Sequence, residues 1–120
     1  MRLKNTLIVV TDINRSKSFY RDLLGFQVTA DFGENVMLTQ GLVLQQQDVW
    51  EQALEREIVY GGHDTELYFE EPFFDAFLEK LNDGRWHIEY LSSVETNSWG
   101  RRVVRFYDPD HHVIEVAEQR

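Results

Sequence analysis

The chain has 120 residues, enough for one domain with a real core. Twelve Lys and Arg against 21 Asp and Glu leave a formal net charge of −9. That balance opposes nucleic-acid binding, which rests on basic side chains neutralising phosphate, and suits a cationic or neutral small ligand. Cysteine is absent, which excludes disulfides, a thiolate nucleophile and a Cys-ligated metal. No apolar run approaches the ~20 residues needed to span a bilayer. Met1-Arg2-Leu3-Lys4-Asn5-Thr6 lacks the apolar stretch of a signal peptide, so a cytoplasmic location is expected.

Leu3 to Val10 is β-rich and predicts a strand. Asp12 or Asn14 then suits a helix N-cap, and Ser16 to Leu24 places Phe19, Leu23 and Leu24 on one helical face, closed by Gly25. Strands are expected over Phe26 to Asp31, Val36 to Thr39 and Leu42 to Gln47, with turns at Phe32-Gly33-Glu34-Asn35 and Gln40-Gly41. Asp48 to Arg56 reads as a short helix. Tyr60-Gly61-Gly62-His63-Asp64 reads as a joint.

The second half repeats the order. Thr65 to Glu70 predicts a strand, and Pro72 fits the first position of a helix, where its missing N–H is harmless. Phe73, Phe74, Phe77, Leu78 and Leu81 make the apolar stripe of that helix, which Asn82-Asp83-Gly84 ends. His87 to Leu91, Arg101 to Tyr107 and His112 to Ala117 predict three more strands, the last two joined by the turn signal Asp108-Pro109-Asp110. Both halves thus read β-α-β-β-β without sharing residue identity. The expected fold is α+β: one domain over residues 1–120, with module one about 1–56, the joint about 57–64 and module two about 65–120. Side by side, the two βαβββ modules would form a curved eight-stranded mixed sheet with a concave cleft.

Three tracts carry a family resemblance: Val10-Thr11-Asp12-Ile13-Asn14-Arg15-Ser16, Phe19-Tyr20-Arg21-Asp22-Leu23-Leu24-Gly25-Phe26, and Phe106-Tyr107-Asp108-Pro109-Asp110 with Val113-Ile114-Glu115-Val116. In this order and at these separations the chain resembles the glyoxalase, bleomycin-resistance and extradiol-dioxygenase superfamily, also called vicinal oxygen chelate. The resemblance implies paired modules, a homodimer and a small molecule held in the cleft. It leaves the reaction open, since such proteins include metal-dependent lyases and dioxygenases as well as metal-free proteins that sequester antibiotics.

The resemblance also implies ligand positions for a divalent metal: Asn5, Gln45, Glu66 and Glu115. None is a histidine, the donor that suits Zn, Ni and Fe, so an all-oxygen set would favour harder cations and argues against glyoxalase I activity. Strand alternation turns Glu66, Tyr68 and Glu70 to the cleft, with Glu115, and sends Leu67, Phe69, Ile114 and Val116 under the helix. Without metal, Glu66 and Glu115 would form a carboxylate pair for acid–base work or for a cationic ligand, unless each pairs with Arg101, Arg102 or Arg105. Trp50, Tyr68, Trp99 and Arg102 are the expected pocket residues, with Tyr60, Tyr90 and Tyr107 as further ligand-facing aromatics. His63 lies near Glu66 at the joint. His111 and His112 read as surface histidines of the turn.

Overall fold

Each half of the chain builds the same motif from different residues. In the computed structural model, which describes residues 1–119, the halves are two compact units, Met1–Val59 and the remainder from Tyr60. In the first, β-branched residues make β1 (Thr6–Val10). Helix α1 (Ile13–Ser18) follows and runs on as a π-helical turn, Phe19–Leu23. Strands β2 (Val28–Asp31), β3 (Asn35–Leu38) and β4 (Leu42–Gln46) and helix α2 (Gln47–Leu54) complete the unit. The second holds β5 (Glu66–Glu71), α3 (Phe74–Leu81), β6 (Glu95–Thr96), β7 (Arg102–Tyr107) and β8 (Val113–Glu118).

The sheets share one topology. The orders are β1-β4-β3-β2 and β5-β8-β7-β6, with the first pair parallel and the others antiparallel in each. The expected α+β, paired βαβββ architecture is the one observed, built as two four-stranded mixed sheets. In unit two, α3 covers the face of Phe106 and Ile114: the Phe77 and Phe106 rings lie 6.2 Å apart, and Phe106 and Ile114 are fully buried. In unit one, the Gln46 carboxamide oxygen accepts from the Ile13 N–H at 3.0 Å, which marks the Leu44 and Gln46 side of β4 as the helix face.

Several boundaries differ from the sequence reading for local reasons. Strand β1 starts at Thr6, leaving Leu3 exposed. Helix α1 starts at Ile13 because Asp12 is the N-cap, its carboxylate accepting from the Arg15 N–H at 3.1 Å. Pro72 lies in a turn, and α3 begins two residues later, with the Glu71 carboxylate accepting from the Phe73 N–H. No strand forms over His87 to Leu91. His87 takes a left-handed φ of 51°, which breaks the extended run, and only Tyr90 bridges to Phe106; β6 falls farther on. Gly41 is needed where it stands: at φ 75°, an added Cβ would lie 2.8 Å from the Lys4 carbonyl oxygen.

Candidate functional site

The register places the helix-free face of unit two as a grid. One row runs Glu66–Val113–Tyr107, the next Tyr68–Glu115–Arg105, and a third Glu70–Ala117–Val103–Glu95. Alternation puts every one of these side chains on the face opposite α3. Sequence reasoning thus placed Glu66, Tyr68 and Glu115 on the right face.

Charge on this face is mostly compensated. Arg105 bonds Glu115 through Nε and Glu95 through Nη1, both at 2.5 Å. Burial pulls the Arg105 guanidinium down, but hydrogen bonds and charge from Glu115 and Glu95 outweigh it and hold it above its ordinary value. Arg101 is also held up, first by its hydrogen bond to Tyr68 and, against desolvation, by Glu70 at 2.5 Å. Glu66 is exposed, and no cation stands against it among the described residues.

At the edge of the grid, the Tyr107 hydroxyl shares a 2.5 Å hydrogen bond with His63 Nε2. The His111 ring packs 4.7 Å from the Tyr107 ring, and its Nε2 lies 3.0 Å from Glu89. His112 is engaged elsewhere: its Nδ1 meets the buried Asp108 carboxylate at 2.7 Å, while Asp108 also accepts from the backbone N–H groups of Asp110 and His112. Asp108 therefore locks the turn that the sequence marked.

The remaining expected residues lie on other elements. In unit one, Gln45 is buried, its Oε1 accepting from Asn35 Nδ2 at 2.8 Å and its Nε2 donating to the Glu34 carbonyl. Asn5 precedes β1, four residues before Val9, the rung that faces Gln45. Arg102 lies on the helix face of unit two: its guanidinium sits 5.0 Å over the Phe74 ring and bonds Asp75 and Glu118. Trp50 is half-buried on α2. Tyr68 is exposed, and Trp99 stands out at the tip of the β6–β7 turn, where the Asn97 carboxamide accepts from the Trp99 and Arg101 N–H groups.

A divalent metal fits this donor set poorly. The Glu115 carboxylate holds a guanidinium, whose positive charge opposes a dication at the same oxygens. The Gln45 oxygen is already an acceptor, and none of the four positions supplies imidazole. Among the described residues, no group of three or more His, Asp or Glu side chains converges in a way that would hold a metal ion.

What sequence reasoning did not find is the pairing. His63 and Tyr107 stood as separate candidates, and Arg105 was one of three possible partners. The β7–β8 register is the signal that sets Arg105 opposite Glu115, whereas His63 reaches Tyr107 from outside the strands.

Comparison with known proteins now decides the family. The model of the glyoxalase-like domain matches residues 3–119. The chain belongs to the glyoxalase-like domain family. This glyoxalase-like chain is 39% identical to a protein of unknown function from Agrobacterium tumefaciens, covering 100% of its own length and 95% of that chain, with a TM-score of 0.86. A glyoxalase-related enzyme from Fulvimarina pelagi matches over 98% and 88% of the two chains, at 15% identity and a TM-score of 0.82. A lactoylglutathione lyase from Agrobacterium tumefaciens matches over 98% and 92%, at 20% identity and a TM-score of 0.67. The last two show likeness of fold alone. A search of curated proteins finds no match. No helix of the described residues is long and apolar enough to cross a membrane.

Proposed function

We propose that this protein binds a small molecule without a metal, on the helix-free sheet face of module two. The observation that carries the reading is the Glu95–Arg105–Glu115 triad, set beside Tyr68. Glu115 is the position at which the superfamily resemblance expects a metal carboxylate. Here that carboxylate is neutralised by a guanidinium, so the face offers preset hydrogen-bonding groups and exposed aromatic surface in place of a Lewis acid. Tyr68 and Trp99 supply rings for a planar or apolar ligand body, and Arg105 can exchange one carboxylate partner for a ligand oxygen while keeping the other.

The test has two arms. Elemental analysis of protein purified without a metal-affinity tag should find well under one equivalent of any transition metal, and chelator should leave thermal stability unchanged. Stoichiometric metal that disappears in Glu115→Gln would overturn the metal-free reading. A fragment screen by amide NMR should shift Tyr68, Arg105 and Glu115 together. A screen in which no fragment moves that face would overturn small-molecule binding there.

A further inference from the structure

The row Glu66–Val113–Tyr107 is chemically unlike the row beside it. Of the other carboxylates on this face, Glu70, Glu95 and Glu115 each meet an arginine, and Glu89, beside Tyr107, meets His111. Glu66 meets no such partner among the described residues. Across the row, two strand spacings or about 10 Å away at the backbone, Tyr107 carries its hydroxyl against His63 Nε2. Between them lies Val113, nine-tenths buried, an apolar floor. The row therefore has an uncompensated anion at one end, a phenol–imidazole pair at the other, and hydrocarbon in the middle.

Two further observations separate this from ordinary surface polarity. The equivalent row in module one is Leu7–Val43–Met37, entirely apolar, so the fold does not require polar groups here. The two histidines that hold Tyr107 also have left-handed backbones, with φ of 60° at His63 and 66° at His111. Such a φ is uncommon outside glycine, and histidine is among the residues that adopt it most readily. Together the two imidazoles fix the Tyr107 hydroxyl and ring.

We propose that this row is a binding subsite for a small organic amine that also carries a hydroxyl or carbonyl oxygen. The proposal rests on the metal-free binding reading above and names its ligand class. The ammonium would pair with Glu66, the apolar body would lie on Val113, and the oxygen would bond the Tyr107–His63 pair. An anion is disfavoured at Glu66, and the net charge of −9 attracts cations to the molecule as a whole.

The experiment titrates the intact protein with α,ω-amino alcohols from ethanolamine to 6-amino-1-hexanol, followed by amide NMR. Each is matched by the alkylamine lacking the hydroxyl and by the hydroxy acid lacking the amine. At least one amino alcohol should shift Glu66, Val113 and Tyr107. Glu66→Gln should weaken it about tenfold or more, the loss of a charge-assisted contact. Tyr107→Phe should weaken it by about threefold or more and leave the matched alkylamine within about twofold. Failure of every amino alcohol, or binding indifferent to both substitutions, overturns the proposal. If the amines fail while other fragments shift Tyr68 and Arg105, the ligand class alone is wrong. If nothing shifts the face, the binding reading falls with it.

Discussion

The two modules carry the same ladder with opposite chemistry at the same rung. Gln45 on β4 faces Val9 and Asn35; Glu115 on β8 faces Tyr68 and Arg105. In module one the rung is closed by a neutral amide–amide hydrogen bond between buried Gln45 and half-buried Asn35. In module two it is closed by a carboxylate–guanidinium pair with a second carboxylate behind it. The topology thus specifies that a polar side chain on the central strand finds a cross-strand partner, and leaves its charge free to vary. Module one closes its rung with two neutral amides. Module two concentrates ionisable groups and aromatics on the matching face.

The largest effects should fall on what the modules share. Phe106 and Leu44 are both fully buried on helix faces. Phe106→Ala should cost about 3–5 kcal/mol and Leu44→Ala about 2–5 kcal/mol, through lost contacts and residual cavity. Urea unfolding checks both. Near-zero values would mean that the helix faces are not the cores.

A smaller effect tests the difference itself. Gln45→Glu places a carboxylate at a buried rung with only an amide opposite, and should destabilise by about 1–3 kcal/mol at neutral pH. Burial favours the protonated acid, so the loss should shrink as pH falls. Adding Asn35→Arg recreates the module-two pair and should recover part of the loss in the same unfolding assay. No recovery would show that the two rungs are not interchangeable.

Much of the fold was legible because a period of two or 3.6 in hydrophobicity survives in single residues. Glu66, Tyr68, Leu67, Phe69, Ile114 and Glu115 all point as strand alternation requires. Alternation fixes the face and says nothing of the rung. Glu66 lies two residues before the rung of Glu115, and Asn5 precedes β1, four residues before the rung of Gln45, so neither module sets its two expected ligands on one rung. Arg102 was misplaced for a related reason: one residue of phase sends it under α3, onto the Phe74 ring, while Arg105 takes the role expected of some arginine. The His63–Tyr107 bond joins residues 44 apart in sequence. No local pattern encodes that distance.

Asp75 and Glu118 give module two a pH signature. Hydrogen bonds from Arg102 hold both carboxyls below their ordinary values. A depressed folded value means that the unfolded chain binds the proton more readily. This contribution is therefore complete above the ordinary carboxylate range and is lost as pH falls through that range toward the folded values. Thermal unfolding of Arg102→Leu should be less stable than the parent at pH 7 and should converge on it in acid. A gap that stays constant with pH would assign Arg102 a packing role over Phe74 alone.

The smallest expected change compares the two helices. Ile13, Ser16 and Tyr20 repeat the i, i+3, i+7 spacing of Phe74, Phe77 and Leu81, and all six are buried. Where module two places Phe77 against Phe106, module one places a serine whose hydroxyl, among the described residues, has no hydrogen-bond partner. A buried hydroxyl without a partner forfeits its hydration and gains nothing in return. Ser16→Ala removes it, fits the same space and improves helix propensity, so module one should gain about 0.5–1 kcal/mol. Larger residues should fail, because the site is sized for a small side chain and overpacking a close-packed face costs about 1–3 kcal/mol. A loss of stability in Ser16→Ala would mean that the hydroxyl has a partner in solution, and that the contrast between the two helices is one of hydration as well as size.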